Sequence, residues 1–369
     1  MKKARVIAFY LPQYHPIPEN DEWWGKGFTE WTNVGKAKPL FKGHYQPRVP
    51  ADLGYYDLRL PLIREQQADM AREAGVEGFC YWHYWFGNGK TLLSEIFDDV
   101  LKSGKPDFPF CLAWANHTWT RKNWNGAENW SYEDLLVQEY PGKEDYISHF
   151  YNVLPAFKDH RYIYVDGKPI FVVYNPLDIP DVSEFIEIWT KLAKENGLLG
   201  IHFVGIASGY IKTYDKILEK GFESLTFENM TNAGIRTRGR LKNRFLPMHR
   251  FRTLFPNLAP LARYRYSDII NNWFTKYDML ENAYPTIIPN WDRTPRGGRR
   301  ATLYVGSTPE LFKKHVKDAV EIVKRKQPEH RIIFLKSWNE WAEGNYMEPD
   351  LKFGHGYIDA LRDVIVEED

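Results

Sequence analysis

Two carboxylates near the C-terminal end of the chain have the spacing and the surroundings for chemistry on a sugar. Glu340 and Glu343 are three residues apart and directly follow the apolar run Ile332–Leu335. Paired carboxylates supply the acid, base or nucleophile of glycosidic-bond cleavage, and the rings of Trp338 and Trp341 are suited to hold sugar faces. Glutamate is also favoured in a solvated first helical turn, but a surface turn rarely contains two tryptophans. The segment therefore favours a carbohydrate site with both glutamates as catalytic residues.

Polar and aromatic side chains follow the predicted strands at one end only. Core packing does not produce such an asymmetry, whereas barrel enzymes place their active-site groups at the carboxyl ends of the strands. Residues at these ends, together with one tryptophan from the long first loop, are predicted to bind substrate: Tyr14, His15, Trp31, Trp82, His83, Trp85, Trp114, Asn116, His117, Trp291, Asp292, Trp338, Asn339 and Trp341. Tyr84, Tyr174 and Glu228 also follow strands but are left out of this set. For His83 and His117 the alternative is a structural histidine.

The elements that would position these residues alternate between short apolar strands and helices. Strands are predicted at 6–11, 76–86, 108–115, 170–174, 201–207, 224–227, 286–289 and 332–335. Helices are predicted at 61–74, 91–103, 143–159, 182–196, 212–219, 267–281, 309–327 and from 357. Eight such units predict an α/β fold, a single (β/α)8 TIM barrel with long βα loops over residues 1–369. The alternative is an open doubly wound sheet, whose nucleotide-binding form would carry a Gly-rich turn after the first strand; this chain has LPQYHPIPEN there.

Two connections are rich in tryptophan. The segment 20–50 belongs to a connection that is too long to be structureless in a compact domain unless it is functional. It contains Trp31 and is predicted to line the substrate site, the alternative being a packed lid over the barrel mouth. The loop 116–132 contains Trp119 and Trp124 and has no spacing typical of a metal site. We expect neither a metal nor another cofactor.

Residues 229–267 are strongly basic and contain no acidic residue. The basic residues are Arg236, Arg238, Arg240, Lys242, Arg244, Arg250, Arg252, Arg263 and Arg265. Together with apolar neighbours they suit a phosphate-bearing or anionic glycan, or an anionic membrane surface; the alternative is a solvated, irregular excursion at about 229–266. A second basic turn follows the seventh strand, where Asp292 is predicted to orient a catalytic group or to pair with Arg296.

Composition limits the remaining functions. The net charge of +1 gives no general attraction to nucleic acid. Cys80 and Cys111 lie in apolar runs and are predicted to be buried free thiols. The N-terminal apolar run is too short for a signal peptide, and no stretch approaches the ~20 apolar residues of a membrane span. We therefore expect a cytoplasmic protein, with peripheral contact to the inner membrane face through the basic segment as a further hypothesis.

Five stretches of the chain resemble the WbsX-like proteins, which are related to glycoside hydrolase family 99, the endo-α-mannosidases. They are AFYLPQYHPIPENDEWWGKGFTEWTNV, GFCYWHYWF, LAWANHTW, NWDRTPR and SWNEWAEGNYMEPD. Together they extend over residues 5–360, and the first and last are highly specific. The resemblance implies a (β/α)8 barrel and a place in bacterial surface-polysaccharide metabolism. WbsX-like proteins are often labelled glycosyltransferases, whereas the hydrolase relatives act within α-mannoside chains with retention.

The resemblance also implies roles for the two glutamates. In those hydrolases catalysis is attributed to an N-E-W-x-E-G segment, whose two acids fall on Glu340 and Glu343. The first acts as base on the sugar 2-hydroxyl, so that a 1,2-anhydro sugar forms. The second protonates the leaving oxygen and then deprotonates the incoming water. These roles imply an ionised Glu340 and a protonated Glu343 at rest, with pKa values pushed apart.

Three functions follow from these features. A retaining, endo-acting glycoside hydrolase or transglycosidase acting on a polysaccharide or lipid-linked oligosaccharide is favoured, because the chain has no D-x-D motif and no Gly-rich phosphate loop. The alternative is a WbsX-type glycosyltransferase of lipopolysaccharide, O-antigen or capsule biosynthesis, with arginines holding the diphosphate of a sugar nucleotide. A non-catalytic glycan-binding protein with an aromatic cleft is the third hypothesis.

Overall fold

The computed structural model of the protein describes residues 2–121, 133–208, 213–239 and 245–367. Nine parallel segments form the central barrel and pair in the order β7-β6-β5-β4-β3-β2-β1-β9-β8. In chain order they are β1 Arg5–Tyr10, β2 Val76–Trp85, β3 Phe110–Trp114, β4 Lys168–Val173, β5 His202–Ser208, β6 Ser224–Glu228, β7 Ala283–Tyr284, β8 Thr286–Ile287 and β9 Ile332–Leu335. The side chains of β3 and β9 are buried throughout, as expected of strands covered on both faces.

The segments β7 and β8 are one strand interrupted by Pro285. Residues of β7 pair with β6, and residues of β8 pair with β9. Proline has no N–H to donate to a neighbouring strand, but the Pro285 carbonyl still accepts from Phe334 N–H at 2.9 Å. The hydroxyls of Thr226 and Thr286 lie 2.8 Å apart between the two pairings. The split strand thus brings the two edges of the sheet together, and the (β/α)8 prediction is confirmed.

Helices surround the barrel. The α-helices of the described ranges are α1 Pro18–Trp24, α2 Glu30–Lys36, α3 Pro61–Glu73, α4 Glu95–Ser103, α5 Lys143–Phe157, α6 Val182–Glu195, α7 Thr213–Glu219, α8 Met230–Thr237, α9 Phe245–Leu254, α10 Tyr266–Asn271, α11 Thr294–Gly297, α12 Pro309–Val323 and α13 Gly356–Ile365. In α12 the Thr308 hydroxyl accepts from Leu311 N–H as an N-cap. This helix buries Phe312, Val316 and Val320, which recur at helical spacing along the face that packs on the barrel.

The basic region is more ordered than an irregular excursion. It contains α8, α9 and the short strand Ala262–Arg265, which pairs in parallel with Thr302–Val305. Some of its arginines are internal: Arg236 donates to the carbonyls of Trp273 and Phe274. The prediction of an irregular excursion was wrong, because the sequence does not distinguish arginines that bind backbone carbonyls from arginines that face solvent. Of the predicted members, Arg240, Lys242 and Arg244 lie outside the described residues.

Other expectations have mixed outcomes. Cys80 and Cys111 are buried free thiols on adjacent strands, as predicted. The helix predicted at 267–281 ends at Asn271, because Thr275 and Asp278 form a capping box that starts a separate 3₁₀ turn. Within the described part of the chain, no helix combines the length and apolar character needed to cross a bilayer.

Candidate active site

A cavity of about 310 Å³ lies at the carboxyl ends of the barrel strands. The side chains and backbone of the following residues line it: Leu11, Trp82, Tyr84, Ala115, His117, Trp119, Tyr174, Glu228, Met230, Trp291, Arg293, Arg296, Lys336, Glu340 and Glu343. Both predicted catalytic glutamates are present, together with Trp82, His117 and Trp291 of the predicted binding set. The cavity is therefore where the chemistry expected from the sequence would occur.

A tight hairpin places Glu340 and Glu343 side by side in the cavity. Glu340 ends the short strand Asn339–Glu340, a 3₁₀ turn carries Glu343, and the chain returns to pair as Asn345–Tyr346. Gly344 permits this return because its φ of +66° is left-handed. A Cβ at Gly344 would also lie 2.9 Å from Cβ of Asp292, so only glycine fits. The hairpin geometry thus depends on the residue that follows the second acid.

Two predicted binding residues hold this hairpin instead of lining the cavity. The Asn339 amide accepts from Leu11 N–H at 2.7 Å and donates to the Leu11 carbonyl at 3.0 Å, which ties the hairpin to the end of β1. The Tyr14 hydroxyl donates to the Asn339 carbonyl and accepts from Trp341 N–H at 3.2 Å. Both side chains are buried. Their contacts show that they position Glu340 through its backbone.

A single buried guanidinium connects the carboxylates of the site. Arg296 Nη1 lies 2.6 Å from Glu343 Oε1, and Nη2 lies 4.0 Å from Glu340 Oε1. The same Nη2 also lies 3.1 Å from Glu30 Oε2, and the Glu30 side chain is fully buried. Half-exposed Arg293 adds a second contact to Glu343, with Nε 3.0 Å from Oε1. Glu343 thus binds two cations directly, whereas Glu340 binds none as closely.

These contacts separate the pKa values of the two acids. Burial, with help from the nearby Glu343 carboxylate, raises the pKa of Glu340 to about 7. Burial acts on the Glu343 carboxyl in the same direction, but Arg296 and Arg293 outweigh it, so the pKa of Glu343 falls below its usual range. Glu340 is therefore the acid that keeps its proton to the higher pH, and Glu343 is the one that ionises first.

The resemblance implies the opposite order, an ionised Glu340 and a protonated Glu343 at rest. In the free site the pKa of Glu340 is the raised one and that of Glu343 the lowered one. Charge balance gives the reason, since four carboxylates face three cations around the site. The carboxylates are Glu30, Glu228, Glu340 and Glu343, and the cations are Lys336, Arg293 and Arg296. Glu340 is the acid farthest from these cations, with Arg296 4.0 Å away. Protonation of Glu340 leaves three negative and three positive charges.

The opposite wall of the cavity contains another ion pair and a neutral imidazole. The ammonium of Lys336 contacts Glu228 and lies 5.7 Å from the ring centre of Trp291. Burial lowers the pKa of His117 to about 4, so at neutral pH its ring is an uncharged hydrogen-bonding group. The wall therefore combines a flat ring with polar groups that sugar hydroxyls can contact.

Several predicted binding residues are structural. His83 Nε2 lies 2.9 Å from Nε2 of His149, and the Trp85 ring stacks on the same His149. Trp114 Nε1 donates to the Trp85 carbonyl, and Asn116 exchanges hydrogen bonds with the Asn175 backbone. His83 is held as its structural alternative predicts, and its role in substrate binding stays a prediction. None of these four side chains lines the cavity.

The remaining aromatic and histidine predictions are buried or partly buried outside the cavity. Trp338 is fully buried, and Trp341 stacks on Tyr346 with ring centres 3.8 Å apart. Trp31 donates through Nε1 to the Tyr56 carbonyl. His15 is buried, 3.8 Å from Glu95. They do not line the cavity, because packing the hairpin requires aromatic side chains as much as sugar binding does.

Asp292 does not pair with Arg296. Its carboxylate accepts from Gln46 and Thr294 and lies 2.9 Å from His44 Nε2. Although burial opposes ionisation, these contacts and nearby Arg48 lower the pKa of Asp292 to about 2. Its backbone N–H donates to the Glu343 carbonyl at 2.6 Å. Asp292 thus holds the backbone of Glu343, and its predicted role in orienting a catalytic group stays a prediction.

The prediction that residues 20–50 line the substrate site is wrong for this cavity. Trp31 and Phe28 pack against other aromatic rings, and no residue of this segment lines the cavity. Its contribution is Glu30, which N-cap Thr29 places at the start of α2 and which reaches Arg296 from below. Trp124 lies outside the described residues.

Sequence reasoning omitted several residues that line the cavity. Glu228, Tyr84 and Tyr174 were noted at strand ends but not chosen, and the rule that strand ends carry the site would have selected them. Lys336 directly follows β9 and fits the same rule. Arg293 and Arg296 had been assigned to a structural turn, and Met230 carries no chemical signal. Nothing in the sequence shows which side of a strand end faces the cavity.

Comparison with known proteins agrees with this architecture. The family model described as glycosyltransferase WbsX matches residues 6–361. Two uncharacterized WxcX proteins of Xanthomonas campestris pv. campestris, from strains B100 and ATCC 33913, are each 35% identical over 368 residues. These matches cover 98% of this chain and 50% of each relative, so the chain spans about half the length of these curated relatives.

Solved structures show the same fold at low identity. A glycoside hydrolase-like protein superposes with a TM-score of 0.63 at 13% identity, over 100% of this chain and 95% of the other. The GH99 endo-α-mannosidase of Bacteroides thetaiotaomicron, solved with bis-tris-propane, gives a TM-score of 0.53 at 15% identity, over 98% of both chains. On the family match and this shared barrel, the chain belongs to the WbsX glycosyltransferase family of carbohydrate-active proteins and has the fold of the family 99 hydrolases.

Proposed function

We propose that the protein is a retaining, endo-acting glycoside hydrolase of bacterial surface-polysaccharide metabolism that cleaves through a 1,2-anhydro sugar. One observation carries the proposal: Glu340 and Glu343 share one cavity, and Arg296 lies 4.0 Å from the first and 2.6 Å from the second. Two acids whose environments push their pKa values apart provide both a proton donor and an ionised base. Polysaccharide or a lipid-linked oligosaccharide is the substrate class.

The resting charges support a definite division of labour. Glu340, with a pKa of about 7, protonates the leaving oxygen as the sugar 2-hydroxyl attacks the anomeric carbon. Ionised Glu343 accepts the 2-hydroxyl proton in that step. Water then opens the three-membered ring at the anomeric carbon: Glu340 takes the proton of the water, and Glu343 returns its proton to the 2-oxygen. A pKa near the working pH suits Glu340 for both of its transfers. This order reverses the roles that the resemblance implied.

Leaving-group dependence tests the assignment. An acid is dispensable when the leaving group departs unaided, as fluoride does, whereas the base is needed for every substrate. Glu340→Gln is expected to lose turnover of oligosaccharide by about 10²–10⁴-fold but to retain turnover of a glycosyl fluoride, and Glu343→Gln is expected to lose both. Full oligosaccharide activity in both variants would refute the hydrolase proposal. The opposite pattern would restore the roles implied by the resemblance.

A glycosyltransferase is the second candidate function. The family description favours it, as do the three cations Arg293, Arg296 and Lys336 at the cavity, which suit a diphosphate. Mass spectrometry of polysaccharide incubated with and without sugar nucleotides separates the two functions. Chains shortened without any nucleotide support the hydrolase, and chains extended only with a nucleotide support the transferase.

A further inference from the structure

An apolar stripe on the basic region faces solvent. Phe251, Leu254, Phe255 and Leu258 are 41, 65, 49 and 79% exposed. Phe251, Leu254 and Phe255 have the spacing of one helical face at the end of α9, and Leu258 lies in the turn that follows, where its N–H donates to the Phe255 carbonyl. The rings of Phe251 and Phe255 lie 5.4 Å apart. The four side chains thus form one contiguous surface, here called the apolar ridge.

Among the described side chains at the C-terminal end of α9, apolar groups face solvent and a charged group faces inward. A surface helix normally turns its apolar face to the core and its charges to water. Here the guanidinium of Arg252 is turned inward, where Nε donates to the Pro260 carbonyl at 3.0 Å. A contiguous exposed apolar surface of this kind marks an interaction site, whereas scattered exposed apolar residues need no such explanation.

Exposed basic side chains belong to the same region as the apolar ridge. Arg250 is exposed and stands four residues before Leu254, on the same helical face. Arg263 and Arg265 are the outward residues of the strand Ala262–Arg265, which alternates buried and exposed positions, and the Arg263 guanidinium lies 4.6 Å from the ring centre of Phe41. Residues 229–267 contain no acidic side chain. The region thus presents exposed apolar side chains and exposed cations together.

The apolar ridge is connected to the cavity through two elements. The region leaves the barrel after β6, whose last residue Glu228 lines the cavity, as does Met230 at the start of α8. Behind the ridge, Arg299 donates to the carbonyls of Pro256 and Ala259, three residues beyond cavity-lining Arg296. The ridge therefore lies on the side of the barrel where the cavity is formed.

We propose that the apolar ridge and its arginines bind the surface of an anionic phospholipid bilayer. Apolar side chains of an amphipathic helix enter the boundary between headgroups and acyl chains, and arginines beside them contact anionic headgroups. Charge complementarity selects this occupant, because a second copy of the chain would bring the same cations against each other. The inference is independent of which reaction the cavity catalyses.

Vesicle co-sedimentation tests the proposal. The full chain is expected to pellet with vesicles of phosphatidylcholine containing 30% phosphatidylglycerol, and to do so less as salt rises. It is expected to remain in solution with phosphatidylcholine alone. The variant Leu254→Ser/Leu258→Ser should bind the anionic vesicles at least about tenfold more weakly. Leu62→Ser/Leu351→Ser, which changes two comparably exposed leucines elsewhere (64 and 70%), is the matched control and should bind as the parent does.

Other outcomes would overturn the proposal. Absence of binding to anionic vesicles at low salt would do so without any variant. A soluble anionic polysaccharide as occupant is indicated if the chain binds that polymer and the Leu254→Ser/Leu258→Ser variant binds it equally well, with no vesicle binding. Self-association is indicated if the parent is a dimer and the variant a monomer by sedimentation, again without vesicle binding. Circular dichroism melting of both variants checks that exposed positions were changed without unfolding.

Discussion

Replacing Glu340 by glutamine is expected to stabilise the folded protein at pH 8 and to change its stability little in acid. The pKa of the Glu340 carboxyl is about 7 in the folded chain, against an ordinary value of 4.5. Because folding raises this pKa, the stability is fully present below about pH 4.5 and is lost as the pH rises through 7. At about 1.4 kcal/mol per pKa unit, the full loss is about 3 kcal/mol. Glutamine has nearly the same shape and no charge, so it avoids this loss.

The melting temperature provides the assay. With an unfolding entropy of about 2.1 cal/mol/K per residue, about 3 kcal/mol corresponds to about 4 °C for a chain of this length. Glu340→Gln should therefore melt about 4 °C above the parent at pH 8, and the gain should fall below about 1 kcal/mol at pH 5. Differential scanning calorimetry at constant ionic strength across this range measures the trend.

Glu343→Gln is the matched control, since the same isosteric change is made three residues away. It removes a carboxylate that binds Arg296 at 2.6 Å and Arg293 at 3.0 Å, and it leaves Arg296 with one carboxylate fewer. A loss of about 3 kcal/mol or more is expected at neutral pH. Melting temperatures that change alike in the two variants, or a Glu340→Gln gain that does not depend on pH, would refute the electrostatic description of the site.

Three further predictions concern the surroundings of the pair. Asp292→Asn should lower the free energy of unfolding by about 2–4 kcal/mol at pH 7, as measured by denaturant unfolding. Folding lowers the pKa of Asp292 to about 2. In the unchanged protein this contribution to stability should therefore disappear as the pH falls from 4 to 2. Gly344→Ala should cost at least about 2 kcal/mol and reduce kcat, because its φ is left-handed and its Cβ would meet Asp292; an unchanged kcat would contradict the hairpin's role. Trp82→Phe should weaken oligosaccharide binding about three- to tenfold in calorimetry, whereas Trp85→Phe, outside the cavity, should not.

The chemistry-bearing segment and the barrel could be predicted from the sequence because both depend on local pattern. Continuous apolar strands such as Ile332–Leu335 are fully buried whatever their neighbours. Since barrel strands run parallel, residues that directly follow them meet at one end, which is why Glu340, Glu343, Trp82, His117 and Trp291 were found together. The family resemblance rests on the same contiguous segments.

The direction of each side chain and its charge state were decided only by tertiary structure. Trp82 and Trp85 are three positions apart in one strand and therefore point to opposite faces, but only the fold decides that Trp82 lines the cavity and Trp85 packs on His149. Glu30 and Arg296 are 266 positions apart and meet only when α2 folds beneath the hairpin. Sequence spacing gave Glu340 and Glu343 equal standing. Burial and the unequal distance of each from Arg296 raise the pKa of Glu340 and lower that of Glu343, because electrostatic interactions depend on distance and solvent exclusion in the folded chain.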